Sequence, residues 1–105
     1  MIFDLRIYTL QPSKAVAWVK LYEEQAYQIQ VKYLGEPVLF ATTEIGPLNQ
    51  AIHVWKYESH GDRETKRNAM AQDPAWRAYL QKSGELAAVV SQENRLMKST
   101  SFSPL

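Results

Sequence analysis

TEIGPLNQAIHVWKY, the stretch Thr43–Tyr57, decides the fold because a turn signal in it separates two strand-like runs. Gly46, Pro47 and Asn49 form that signal, since glycine permits unusual backbone angles, proline fixes φ, and asparagine can bond its own backbone. Beyond the turn, alternate residues share one face of a strand, and that face carries Ala51, His53, Trp55 and Tyr57. The stretch predicts a β-hairpin whose second strand presents a polar and aromatic face.

The residues before this hairpin predict a strand, a helix and a second strand. Residues 2–10 alternate in the manner of a strand and are rich in β-branched and aromatic side chains. Pro12 and Ser13 end this strand, and Ser13 is the expected N-cap of an amphipathic helix of about five turns that ends near Gly35. The run PVLFATTEI then predicts the second strand, paired antiparallel with the third.

The residues after the hairpin predict a broken helix and a last strand. Ser59 to Asp62 resembles a weak capping box and opens a charged helix that runs to Asp73. Asp73 can cap a second helical segment that has Pro74 at its first position and Gly84 as its expected exit. The last strand is expected near residues 92–99.

The predicted element order is strand, helix, strand, strand, helix, strand, which is the ferredoxin-like βαββαβ arrangement of the α+β class. Such a fold is a four-stranded antiparallel sheet with helices on one face, so the other face has no cover within the chain. We expect that open face to carry Tyr8, Trp55 and Tyr57 and to be covered by a second copy of the chain. The sequence therefore predicts a homodimer, or a higher oligomer.

Length and composition indicate one globular domain over residues 1–105. Hydrophobic residues make up 46% of the chain and charged residues 22%, close to average globular usage. The uncharged runs are far shorter than the roughly 20 apolar residues of a spanning helix, and the N-terminus lacks a signal-peptide pattern, which favours a cytoplasmic location. A formal net charge of +1 without an extended basic run argues against nucleic acid as a partner.

The residue types disfavour metal and cofactor chemistry. The chain has no cysteine, which excludes disulfides, thiolate nucleophiles and thiolate metal sites. Its two histidines, His53 and His60, lack the short spacing of a zinc pair and lie outside the predicted helices. We predict no metal and no cofactor, haem included.

A candidate binding site follows from the strand pattern. Arg6 and Tyr8 share a face of the first strand, which lies beside the third strand in this fold. Arg63, Lys66 and Arg67 have helical spacing and form one basic patch. We expect one cavity in which arginines meet the negative charge of a ligand and aromatic rings its apolar body, bordered by Arg6, Tyr8, His53, Trp55, Tyr57, Arg63 and Arg67.

Each of these residues also has a structural interpretation. His53 can be a satisfied strand residue, whereas beside Trp55 and Tyr57 a neutral imidazole could exchange a proton with a ligand near pH 7. His53 and Tyr57 are therefore the catalytic candidates. Arg6 can pair with a carboxylate such as Asp4 instead of a ligand, and the basic patch can be a solvated helix face.

Several motifs resemble the NIPSNAP family, small members of the dimeric α/β-barrel superfamily. They are DLRIYTL, TEIGPLNQAIHVWKYES, DRETKR followed by DPAWRAYL, and the closing FSPL, which together span almost the entire chain. The resemblance implies a homodimer whose two sheets close into a barrel, and it favours Arg63 and Arg67 over Lys66 as site residues. Ser13 departs from the family pattern, in which glycine often follows the proline.

Two functions are consistent with these residues. One is a binding protein that holds a small, partly apolar ligand, with an anionic group, in a pocket between sheet and helices. The other is implied by the superfamily: a cofactor-independent monooxygenase in which Tyr57, His53 and Trp55 line a cavity for a small aromatic substrate. The sequence does not decide between a binding protein and an enzyme.

Overall fold

The computed structural model describes residues 1–105 and shows a four-stranded antiparallel sheet with four α-helices. The strands are β1 (Ile2–Leu10), β2 (Leu39–Thr42), β3 (Gln50–Tyr57) and β4 (Val89–Lys98). The helices are α1 (Ala15–Gln25), α2 (Tyr27–Leu34), α3 (His60–Ala71) and α4 (Pro74–Leu86), and a 3-10 turn, Pro12–Lys14, precedes α1.

The strand order in the sheet is β2-β3-β1-β4, so β1 lies in the centre with β3 and β4 as antiparallel neighbours. The predicted α+β, ferredoxin-like class is therefore confirmed. In the β1–β3 pair, Arg6 lies opposite His53 and Asp4 lies opposite Trp55. Because directly opposed residues point to the same face of a sheet, these four side chains share one side.

The helices cover the sheet face that carries the aromatic residues of β3. His53, Trp55 and Tyr57 are all at most 2% exposed. The prediction that this face stays open for a second copy of the chain is therefore wrong. Strand alternation tells which residues share a face, but it does not tell which face the helices cover. The helices pack on the aromatic face because each aromatic ring buries about 150–250 Å² of surface when it joins the core.

The opposite face of the sheet has no cover from any helix. Its central residues come from β1 and β3, where Leu5 lies opposite Val54 and Ile7 opposite Ile52. Toward its edges the exposed apolar side chains include Leu39, which is 50% exposed, and Met97, which is 38% exposed. The uncovered surface is thus aliphatic along β1 and β3, while β4 adds the ion pair of Arg95 and Glu93 opposite Leu5 and Ile7. We call this surface the open face.

The first helical region departs from its prediction at its N-cap and in its middle. Ser13 lies inside the 3-10 turn and caps nothing; the residue before Pro12, Gln11, is the N-cap because proline takes the first position. Ala26 has φ −116° and separates α1 from α2, although its N–H still bonds the oxygen of Tyr22 at 2.8 Å. The predicted end at Gly35 is correct, with φ of 81°.

The second helical region has the predicted caps but a longer last helix. The Ser59 hydroxyl accepts the N–H of Asp62 at 3.0 Å, and the Asp73 carboxylate accepts the N–H of Ala75 at 2.8 Å. α4 continues through Gly84 to Leu86 and ends at Ala87, a non-glycine residue in the left-handed conformation with φ of 54°. β4 begins at Val89, three residues before its predicted start.

Candidate functional site

A fully buried carboxylate holds two arginines at the junction of β1 and α3. Asp4 Oδ2 accepts from Arg6 Nη1 at 3.2 Å and from Arg63 Nε at 3.1 Å. Arg6 is two residues along the same strand, and Arg63 comes from the first turns of α3. A buried ion needs such partners, so the pairing of Arg6 with Asp4 that the sequence offered as an alternative is present.

Arg6 is also tied to the ring system of the site. Its Nε donates to Tyr8 Oη at 3.1 Å. The Tyr8 ring stands edge-on to the imidazole of His53, with 4.9 Å between ring centroids. The face shared by β1 and β3 therefore joins Arg6, Tyr8 and His53 in one contact chain, as strand alternation predicts.

His53 is the most constrained polar residue of the site. Its Nδ1 accepts from Trp55 Nε1 at 2.7 Å, and the Phe40 ring stacks on it at 4.5 Å between centroids. Burial, with a smaller contribution from the nearby charge of Arg6, lowers the pKa of His53 to about 3. The lowered pKa disfavours the proton exchange near pH 7 that the sequence suggested, because the neutral imidazole predominates there.

The basic residues of α3 do not form one patch. Arg63 and Arg67 lie one turn apart and turn toward the sheet, where Arg63 bonds Asp4. Lys66 instead pairs with Asp62 at 3.1 Å on the outer side of the helix. Arg67 Nη1 is buried without a hydrogen-bond partner in the chain. The preference for Arg63 and Arg67 over Lys66 thus matches the direction of their side chains.

A cavity of about 90 Å³ lies between the sheet and the helices. Tyr8, His53 and Arg67 supply predicted site residues to its wall. A further part of the wall is aromatic and comes from α1 and α4, namely Trp18, Tyr22, Trp76 and Tyr79. The sequence assigned Trp18, Tyr22 and Trp76 to the core by their helical spacing. These side chains pack in the core and also line the cavity.

The other predicted site residues do not reach this cavity. Trp55 lies behind His53, while Arg6 and Arg63 are directed at Asp4. Tyr57 belongs to a separate core cluster with Ile2, Leu34 and Met70. Four residues of extended strand span about 14 Å, which places Tyr57 far from the cavity that His53 lines.

Asp4 is the residue that sequence reasoning left out of the site. Asp4, Arg6 and Tyr8 are alternate residues of one strand, so the sequence indicates that their side chains lie on the same face. Its Oδ1, like Tyr57 Oη and His53 Nε2, is buried without a hydrogen-bond partner in the chain. The carboxylate thus fixes Arg6 and Arg63, which lie outside the wall of the cavity.

The polar groups at the cavity are poorly suited to a metal ion. A metal needs several lone-pair donors at one point, and no three His, Cys, Asp or Glu side chains come together in the chain. His53 Nδ1 and Asp4 Oδ2 already accept hydrogen bonds. Across the whole chain, none of the helices has the length and apolar character that crossing a bilayer requires.

The element order and the strand topology define an α+β ferredoxin-like domain. A model of the NIPSNAP family matches residues 3–104, and the chain belongs to the NIPSNAP family. A NIPSNAP family protein with unknown function from Agrobacterium tumefaciens is 36% identical, with a TM-score of 0.91 over 100% of this chain and 93% of its own. The NipSnap homologue of Dictyostelium discoideum is 32% identical over 71% of this chain.

Two further comparisons concern the length of the relatives and a neighbour with low sequence identity. The chain spans 33% of the length of the Dictyostelium relative and 30% of a human NipSnap homologue 3A, so the relatives contain further sequence. An antibiotic biosynthesis monooxygenase has a TM-score of 0.65 over 95% of this chain and 99% of its own, with 8% identity. That likeness concerns the fold alone.

Proposed function

We propose that this chain binds a small carboxylate in the cavity between sheet and helices. The observation that carries the proposal is Arg67, whose Nη1 is buried at the cavity without a partner in the chain. A buried guanidinium calls for an anionic acceptor, and Asp4 Oδ2 is already shared by Arg6 and Arg63. Asp4 is thus committed to Arg6 and Arg63, which leaves the Arg67 guanidinium for an anion supplied by a ligand.

The volume of the cavity limits the size of this anion. A water molecule occupies about 30 Å³ in the liquid, so a cavity of about 90 Å³ takes roughly three groups of that size. A carboxylate with a one- or two-carbon tail fits this volume. Its tail would contact the rings of Trp18, Trp76 and Tyr79, which line the same wall.

The alternative, a cofactor-independent monooxygenase, has less support. Cavities that bind benzene measure about 150 Å³, which exceeds the volume present between sheet and helices. His53, with its pKa lowered to about 3 by burial, is not a base that could activate an aromatic substrate at neutral pH. The monooxygenase neighbour shares 8% identity and supports no common chemistry.

Calorimetric titration with propionate tests the binding function. We expect binding to the unaltered protein, and a loss of about 10- to 100-fold in affinity for Arg67→Met, because a charge-assisted hydrogen bond contributes about 1.5–3 kcal/mol. The matched control is Lys66→Met, which removes the neighbouring charge from the outer side of α3 and should leave the affinity unchanged.

Neutral propionamide separates charge recognition from shape. Its affinity should be lower than that of propionate and should change little in Arg67→Met, since it lacks the charge that the guanidinium meets. Equal losses for both compounds in Arg67→Met, or no propionate binding at millimolar concentration, would contradict the proposal.

We also propose that the chain forms a homodimer through the open face. The face presents a row of aliphatic side chains from β1 and β3, with Leu39 and Met97 exposed beside it. An apolar sheet face of this kind is costly in water, and a second copy offers a matching surface. This is the face opposite to the one that the sequence predicted as the interface.

A further inference from the structure

We infer that Trp55 fixes His53 as the neutral tautomer that carries its hydrogen on Nε2, so that the cavity offers a hydrogen-bond donor and selects oxygen acceptors over amines. The choice of ligand rests on the proposed carboxylate-binding function. The tautomer does not, because it follows from contacts within the chain. Trp55 acts here as a positioning residue.

The first step is the direction of the hydrogen bond between the two rings. An indole nitrogen can only donate, so the partner atom of Trp55 Nε1 must hold a lone pair. That partner is His53 Nδ1, at 2.7 Å. A neutral imidazole with a lone pair on Nδ1 carries its hydrogen on Nε2, which fixes the tautomer.

The second step is that the ring stays neutral. Charged groups reach His53 from both sides: Arg6 and Asp4 from β1, and Arg67 from α3. Two positive charges against one negative charge disfavour an imidazolium, and His53 is only 2% exposed. The lowered pKa, about 3, agrees with this geometry.

The third step is the direction of the Nε2 hydrogen. His53 lines the cavity, whereas Trp55 does not, so we assign the ring edge that faces away from Trp55 to the cavity side. Tyr8 and Phe40 hold the ring plane by an edge contact and a stack. Nε2 has no hydrogen-bond partner in the chain and is free to donate to a ligand.

These steps define the chemistry that the site accepts. A carboxylate offers oxygen acceptors to both His53 Nε2 and Arg67, whereas an ammonium group offers only donors and a positive charge. A metal ion is disfavoured as well, since it needs the lone pair that Nε2 lacks in this tautomer. His53 and Arg67 together therefore select a deprotonated acid.

Long-range proton–nitrogen NMR correlations of the imidazole rings test the tautomer directly. The chain has two histidines, so His60→Gln removes the only other ring signal. We expect one hydrogen-bearing nitrogen, assigned to Nε2, with no titration between about pH 5 and 8. A hydrogen on Nδ1, an averaged signal or a titrating ring would overturn the inference, with or without a ligand.

Two matched variants test the role of Trp55. Trp55→Phe removes the donor and should produce a mixture of the two tautomers. Trp18→Phe deletes an equally buried indole that stacks on Tyr22 and should keep the single Nε2 form. A single Nε2 form in Trp55→Phe would show that Trp55 does not set the tautomer of His53. If Trp55→Phe does not fold, the spectrum of the unaltered protein still decides which tautomer is present.

Binding then tests the selectivity with propionate and propylamine as probes. We expect propionate to bind at least tenfold more tightly than propylamine, and Trp55→Phe to weaken propionate about tenfold. Stronger binding of propylamine would overturn the inference. Failure of propionate to bind, with the Nε2 tautomer present, would contradict the proposed function while the tautomer assignment would stand on the spectrum.

Discussion

At the scale of single residues, Asp4 organises the charged half of the site. It is 0% exposed, yet it sits in the centre of the sheet with its Oδ2 shared by two guanidinium groups. Breaking a buried ion pair from one side leaves the other charge uncompensated, at a cost of about 3–5 kcal/mol. Asp4 therefore links the stability of β1 and α3 to the arrangement of the arginines near the cavity.

His53 makes the stability of the protein depend on pH. Its pKa is lowered from 6.5 to about 3 in the folded chain, chiefly by burial, so the unfolded chain binds more protons between these values. Stability is then complete above pH 6.5 and falls as the pH decreases. The free energy of unfolding should drop by about 2 kcal/mol between pH 7.5 and 5, as one pKa unit corresponds to about 1.4 kcal/mol.

Urea unfolding at several pH values measures this dependence. His53→Gln should lose most of it, because the glutamine side chain does not titrate in this range. His60→Gln, at the exposed start of α3, should keep it. An unchanged pH dependence in His53→Gln would show that other groups are responsible.

Much of the residue-scale arrangement was predictable, and some was not. The shared face of Arg6, Tyr8 and His53 follows from alternation and from β1 lying beside β3. The bond between Trp55 and His53 did not follow, since it depends on side-chain rotation between two residues of one strand. The absence of Tyr57 from the cavity depends on where the helices enclose space, which strand periodicity does not describe.

At the scale of elements, the end of α4 runs against local backbone preferences. Gly84 occupies a helical position, where glycine is unfavourable, and Ala87 occupies a left-handed position, where glycine is preferred. The predicted exit at Gly84 was wrong for this reason. The packing of Ala88, which is 0% exposed and opens the path into β4, overrides the preference of the isolated residues.

Gly84→Ala should therefore stabilise the protein by about 1 kcal/mol, as alanine is the better helix former. A Cβ added at Gly84 meets nothing within 4 Å, so no clash opposes the gain. The matched control is Gly35→Ala. Position 35 also has free space, but its φ is 81°, so alanine there should destabilise the protein. Thermal unfolding of both variants measures whether each change raises or lowers the stability. A loss of stability in Gly84→Ala would contradict the argument.

Element order and the N-caps of the second helical region were the most predictable part of the fold. Ser59 and Asp73 cap the helices that their sequence context indicates. The division at Ala26 was not predictable, because the apolar spacing continues across it and the i to i−4 bonds persist. The bend brings Ala26 to 0% exposure, so it reflects tertiary packing of α1 and α2 on the core.

At the scale of the whole molecule, the two faces of the sheet exchange the roles that the sequence suggested. Both faces are apolar enough to need cover, and a period of two residues cannot tell which one the helices take. The face with the larger aromatic rings became the core of the monomer. The open face has no cover within the chain, so self-association stays a prediction, now with this face as the proposed interface.

Light scattering with size-exclusion chromatography tests the proposed homodimer and its interface. The unaltered protein should show about twice the chain mass of 12.1 kDa at micromolar concentration. Ile52→Glu should give the monomer mass, because it places an unpaired charge in the centre of the open face beside Ile7. Its cavity and helices should stay intact, since Ile52 points away from them.

The control is Gln28→Glu, which adds the same charge to an exposed position of α2 and should remain dimeric. A monomeric unaltered protein would contradict the dimer, and a dimeric Ile52→Glu would move the interface elsewhere. Propionate titration of the Ile52→Glu monomer then tells whether one chain suffices for binding. We expect it to bind, because Arg67 and His53 line the same cavity within one chain.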